Sequence, residues 1–291
     1  MRTLFSRLMA TIFFACGLGL LGSIDPGGIQ GTKLQEPSSI TYLGFDRNKY
    51  PGDALLESLR QTFSFCGYWL NVPPGEHSNT WQGKREVLIS GGFGFMVLFN
   101  GRPYRQLKSL ANSKMLGTRD AAVAVRAANA EGFPAGTVIF LDQEEGGRML
   151  PQQRAYVYAW VDAISASGYR AGVYCSGIAV NEAGGARIIT ANDLRDSADG
   201  RKIAFFVYND SCPPSPGCTF PRNPPSPQLS GVRYAAIWQF AQSPRRREIT
   251  ASCPSNYRDD GNCYAPLLKS ADGVNVDLDS ADSPDPSSGR R

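Results

Sequence analysis

"TVIFLDQEEGG", residues 137–147, is the stretch on which the reading of this chain turns. Four strand-favouring residues run without a polar break to Asp142, Glu144 and Glu145, and then to two glycines. A continuous apolar run of this length, rather than an alternating one, predicts a strand buried on both faces, as in a parallel sheet. The acids begin where that strand would reach its rim.

Working outward, the same unit repeats. "PQQRAYVYAWVDAISASG" (151–168) follows, with Pro151 at a first-turn position, Val157, Trp160, Val161 and Ile164 on one face, and Gly168 as a stop. "RAGVYCSG" (170–177) is the next strand. Upstream, "TRDAAVAVRAANAEGFP" (118–134) predicts a helix capped by Thr118, with Asp120 near its positive end and Gly132 and Pro134 ending it. Earlier strands are "ITYLGFD" (40–46), "GYWLNV" (67–72) and "FMVLFNG" (95–101). Between them lie "YPGDALLESLRQTF", with Leu55, Leu59 and Phe63 at helical spacing, and "SNTWQGKREVLISGG", a helix N-capped near Asn79. A less regular helix spans 185–198, and "KIAFFVYND" (202–210), "YAAIWQFAQ" (234–242) and "GVNVDLD" (273–279) complete eight strands. Eight strands alternating with helices over about 250 residues predict an α/β chain forming a single, somewhat irregular (β/α)8 TIM-like barrel over residues 40–280. An open doubly wound sheet is the alternative, weakened because no G-x-G-x-x-G follows an early strand.

Residues 1–23 pair a basic start (Arg2, Arg7) with an apolar run at 8–22, the pattern of an export signal or an uncleaved anchor. The run is short for a membrane span, so no span is expected in the mature protein if the signal is removed. A secreted or cell-envelope location follows. Residues 24–39 read as a lead-in, and the Pro/Ser-rich 281–291 as a disordered tail. A net charge of +4, with one dense basic run at 244–248, does not suggest nucleic acid. Beyond Cys16 there are six cysteines, an even number in an exported chain. The simplest pairs are Cys212–Cys218 and Cys253–Cys263, in the long loops after strands six and seven, although six cysteines permit 15 connectivities. No C-x-x-C occurs and His77 is the only histidine, so neither a zinc site nor any other cofactor is indicated.

In such barrels catalytic groups project from the C-terminal strand ends. Those ends offer Asp46, Asp142, Glu144, Tyr174, Ser176, Tyr208, Asn209, Trp238, Gln239, Asp277 and Asp279, with Trp69 in strand two. Asp142 and Glu144 are two residues apart, so both leave one side of the strand, their Cα atoms roughly 6.6 Å apart. Neighbouring carboxylates split their proton affinities, which suits one to be an acid while the other stays anionic. Glycosidic cleavage uses such a pair. Glu145 points the other way and reads as structural or solvated.

"YLGFDRNKYPGD", "GTVIFLDQEEGG", "AGVYCSG", "AAIWQFAQ" and "GVNVDLD", in this order, resemble the glycoside hydrolase-like domains of unknown function related to family 25 glycoside hydrolases, the lysozyme-type muramidases on a TIM-like barrel. The resemblance implies that Glu144 is the general acid and that Asp142 stabilises charge, through the substrate's N-acetyl group. It implies supporting acids in Asp46 and Asp277, and cleft residues in Trp238, Gln239 and Tyr174; Tyr208, at the end of strand six, joins them as a substrate-binding candidate. The QEEGG motif and the cysteine-bearing loops depart from a typical muramidase.

Three readings follow. The first is an exported glycoside hydrolase acting on an N-acetylated polysaccharide such as peptidoglycan. The second is a non-catalytic wall- or glycan-binding barrel. The third is a phosphodiesterase using Mg²⁺ or Ca²⁺ held by Asp46, Asp142, Glu144 and Asp277.

Overall fold

The computed structural model describes residues 40–210, 223–242 and 276–291. In chain order its elements are β1 (Tyr42–Asp46), α1 (Leu56–Arg60), β2 (Phe65–Trp69), α2 (Arg85–Ser90), β3 (Gly94–Asn100), α3 (Leu110–Ala130), β4 (Val138–Asp142) and α4 (Pro151–Ala166). There follow β5 (Arg170–Ser176), β6 (Ala179–Asn181), β7 (Arg187–Ile189), α5 (Thr190–Asp196), β8 (Ala204–Tyr208), β9 (Ile237–Ala241) and β10 (Asp277–Ala281). Eight of the strands close into a barrel in the order β1-β10-β9-β8-β5-β4-β3-β2, while β6 and β7 form a separate hairpin. The barrel expected from the alternating runs is therefore present.

One strand departs from the all-parallel expectation. β10 is antiparallel to both of its neighbours, β1 and β9. Its N-terminal end, not its C-terminal end, thus reaches the rim where the other strands finish. Asp46 and Asp277 are direct cross-strand partners at that rim, and Asp279 lies two residues deeper.

The interior is filled by matching large rings to glycines. A Cβ on Gly44 would lie 2.1 Å from the Phe65 ring, and one on Gly172 would lie 2.4 Å from the Phe140 ring. Only glycine leaves these phenylalanines room in the lumen. Outside, α3 and α4 approach so closely at Gly117 that a Cβ there would lie 2.3 Å from the Tyr156 carbonyl.

Helix α3 begins eight residues before the expected cap. Ser109, in an extended conformation, accepts from Asn112 N at 3.2 Å and starts the helix at Leu110. Asp120 is then mid-helix and buried, gripped by Arg102 at 2.5 and 2.8 Å and by the Tyr156 hydroxyl at 2.9 Å. Asn79 caps a turn rather than a helix, accepting from Trp81 N at 3.0 Å.

The last residues, expected to be disordered, close the floor of the barrel. Asp285 accepts from Phe95 N at 2.9 Å and the Ser287 hydroxyl from Val97 N at 2.9 Å. Ser287 N donates to Phe95 O at 2.9 Å, and its carbonyl accepts from Val138 N at 2.8 Å. Ser287 is fully buried, and Arg85 reaches the Gly289 carbonyl at 2.8 Å. Backbone pairing holds this segment, which is why an apolar-poor composition concealed it.

Cys66 and Cys175 are buried free thiols. Cys212, Cys218, Cys253 and Cys263, with the pairing expected of them, lie outside the described residues. So does the apolar run at 8–22, and among the described residues no helix is long and apolar enough to cross a membrane.

Candidate active site

The rim of the barrel opens on a cavity of about 200 Å³. Asp46, Asp142, Glu144 and Asp277 all line it, so the four acids nominated from three strands share one mouth. Tyr174, Gln239 and Trp69 line it as well.

The two acids of β4's rim stand in different environments. Asp142 ends β4 and is 6% exposed, whereas Glu144 is exposed on the turn that follows. Burial, then the Glu144 charge, then the Asp46 charge push the Asp142 carboxyl well above the usual carboxylate range. Its Oδ1 is buried with no hydrogen-bond partner among the described residues.

The turn is fixed from three sides. Tyr208 donates its hydroxyl to the Glu144 carbonyl at 3.0 Å. Gly101 N donates to the Asp142 carbonyl at 3.1 Å, and a Cβ on Gly101 would lie 2.3 Å from that oxygen. Glu145 is structural, as expected: it accepts from Tyr104 N at 2.9 Å and from Gln153 Nε2 at 2.6 Å.

A second group of bonds orients Asp46. Gln239 donates Nε2 to Asp46 Oδ2 at 2.7 Å, while its Oε1 accepts from the Tyr174 hydroxyl at 2.8 Å and from Gln242 Nε2 at 3.0 Å. Burial, then Asp142 and the other acids of the mouth push the Tyr174 phenol upward, so it stays a neutral donor.

Asp279 lies beneath this group, fully buried. Neither of its oxygens has a hydrogen-bond partner among the described residues. Burial, then the charges of Asp46 and Asp277 push its carboxyl up, in the sense that favours the protonated form.

Two nominated residues sit elsewhere than expected. Trp238 alternates with Gln239 on β9 and so faces away from the lumen; its indole donates to Asn209 O at 2.9 Å and packs edge-on to Phe240. Tyr208 is a buttress of the Glu144 turn at the rim. Residues not singled out from sequence also line the mouth, among them Asn48, Gln242 and Asp210. Gln242 had a usable signal, since it follows Gln239 immediately beyond a strand end. Among the described residues, no group of three or more histidines, cysteines or acids is placed to hold a metal ion, so the third reading gains no support.

No curated protein sequence matches the chain. Among solved structures it is similar to an uncharacterized B. stearothermophilus protein, with 19% identity, a TM-score of 0.52, and coverage of 82% of this chain and 95% of that one. It is also similar to the Mycobacterium tuberculosis Tat-secreted protein Rv2525c solved with L-tartrate (14% identity, TM-score 0.48, 83% and 95% covered). A third is the Clostridium perfringens spore cortex lytic enzyme SleM (15% identity, TM-score 0.49, 86% and 70% covered). At 19% identity the first of these likenesses speaks to the fold alone. The more specific match lies in residues 72–209, which fit the model of the Rv2525c-like, glycoside hydrolase-like domain and include Asp142, Glu144, Tyr174 and Tyr208. The likeness read from the sequence motifs therefore stands: residues 72–209 are similar to the glycoside hydrolase-like domain of the Rv2525c type, within a chain whose strands close into a TIM-like barrel.

Proposed function

We propose that the protein is an exported glycoside hydrolase acting on an N-acetylated polysaccharide, with peptidoglycan as the favoured polymer. The observation that carries this reading is the opening of Asp142 and Glu144 onto one cavity that Asp46 and Asp277 also line. The basic-then-apolar segment 1–23 supports export to where such polymers occur.

The two β4-rim acids divide the work by exposure. In the free protein, burial and the neighbouring charges favour a proton on Asp142. Glu144, on the solvent side, is the member that a glycosidic oxygen can reach. A seated sugar strips water from Glu144 and raises its proton affinity, so the proton passes from Asp142 to Glu144 and then to the leaving oxygen. Asp142 is left anionic as positive charge develops on the sugar, directly or through its N-acetyl group. Water then adds to the sugar and returns its proton to Glu144. Asp46, fixed by Gln239, supplies negative potential below the site.

The test is release of new reducing ends from purified peptidoglycan and from chitin-type polymers. Wild type is expected to release them, and Glu144→Gln to lose at least a hundredfold of the rate, within the range typical of a general acid. Equal behaviour of wild type and Glu144→Gln across both polymers overturns hydrolysis at this site. Tight polymer binding without turnover in either protein would establish the glycan-binding reading instead.

A further inference from the structure

Beside the carboxylate cleft lies a second chamber, of about 340 Å³, which shares Pro74, Asp142 and Glu144 with it. Its outer wall is the segment after β3. Gly101 and Gly75 contribute no side chain to its wall, and a Cβ on Gly75 would meet nothing within 4 Å.

The charges of this chamber can be taken one at a time. Arg102 is bound by Asp120 at 2.5 and 2.8 Å and by Gln106 at 3.1 Å. Glu145 is held by Tyr104 N and Gln153. Asp142 and Glu144 form the wall shared with the cleft. Arg105 remains: it lines the chamber, is exposed, and forms no ion pair among the described residues. It sits on a short 3-10 turn, Tyr104–Gln106, whose first N–H is tied to Glu145. A planar cationic fork is thus presented, without a partner acid, next to the proposed scissile position.

We infer that this chamber is a subsite for a carboxylate carried by the glycan, gripped by Arg105 while the neighbouring glycosidic bond lies over Glu144. The inference rests on the glycan reading above and narrows it to acidic polymers. A sugar with a carboxyl group, whether on an ether-linked acid side chain or as a uronic acid, supplies the complementary charge. A neutral N-acetylated sugar leaves Arg105 unused.

The experiment is binding calorimetry with three soluble oligosaccharides of equal length: a neutral N-acetylglucosamine oligomer, one bearing lactyl-ether carboxylates, and a uronic acid oligomer. Wild type is expected to bind at least one acidic oligomer about five- to tenfold more tightly than the neutral one, as for a partly exposed charge pair. That preference should shrink as salt rises. In Arg105→Gln the acidic-to-neutral ratio should fall to near one, and Arg105→Lys should recover part of it. Which acidic oligomer shows the preference identifies the source of the carboxylate. Equal binding of all three by wild type, or a ratio unchanged in Arg105→Gln, overturns the subsite and leaves the glycan reading intact. Binding of none overturns both. Because Arg105 is exposed, its variants should melt as wild type does, so a lost ratio is not a lost fold.

Discussion

Gly94→Ala is the sharpest test of how this barrel is closed. Gly94 opens β3 beneath the terminal segment, and a Cβ there would lie 1.9 Å from Pro284 O, 2.7 Å from Asp285 Cα and 2.8 Å from Pro284 C. All three are backbone atoms, so no rotamer change relieves the clash and the segment must lift. Lifting removes the bonds from Phe95 N to Asp285 and from Val97 N to Ser287. The Val97 bond is buried, and an unmet buried donor costs about 1–3 kcal/mol. Overpacking alone costs about 1–3 kcal/mol. The two are alternatives in part, because a segment that lifts relieves the overpacking, so the expected loss is about 3 kcal/mol. For a chain of this size that corresponds to a fall in Tm of roughly 6–12 °C. Urea unfolding followed by tryptophan fluorescence measures it. The decisive arm is the same substitution in a chain lacking residues 284–291. Gly94 is not among the residues of positive φ, so alanine is conformationally acceptable there. Without the segment, Gly94→Ala should be neutral or stabilising by about 0.5 kcal/mol through its effect on the unfolded chain. An equal penalty in both backgrounds would refute the clasp.

Three further outcomes follow from the site. Asp142→Asn should raise stability relative to wild type, increasingly as pH rises. The folded-state proton affinity of Asp142 is raised, so its stabilising contribution is full below the unfolded value near 4 and is lost as pH climbs through the higher folded value; melting curves across pH report it. Trp238→Phe should cost about 1 kcal/mol by losing the bond to Asn209 O, yet leave glycan affinity within twofold, because Trp238 faces away from the cleft; a large affinity loss in calorimetry would restore it as a cleft residue. Gly101→Ala should reduce turnover by more than tenfold with a smaller effect on melting, since its Cβ would press on the Asp142 carbonyl at 2.3 Å and displace that carboxyl; unchanged turnover would show that the turn adapts.

Much of this was legible from residue pattern, and the exceptions share a cause. β4 and β5 are apolar on both faces, and burial on both faces is a property of side chains. The direction of β10 is not: "VDLD" alternates identically whichever way the strand runs, and direction is decided by backbone pairing with β1 and β9. The order of the terminal segment is hidden for the same reason: it is held by Ser287 and Asp285 hydrogen bonds rather than by apolar burial. At "WQ" on β9, alternation required that one residue face the lumen but not which one. The polar interior, with Asp46 to satisfy, selected Gln239 over Trp238. The start of α3 is hard to read because "SLANSKM" lacks an apolar stripe, although Ser109 caps it.

The pairing of Asp46 with Asp277 joins the first and last strands of the barrel, so the seam that seals the fold is held shut across two like charges. Opposed like charges weaken a strand pair. This acid pair coincides with the mouth of the proposed site. Any occupant that neutralises the acids acts as a keystone: it tightens the joint without touching the rest of the fold. Neither end of the chain owns the site alone, because half of this acid pair arrives only when the last strand is laid in place.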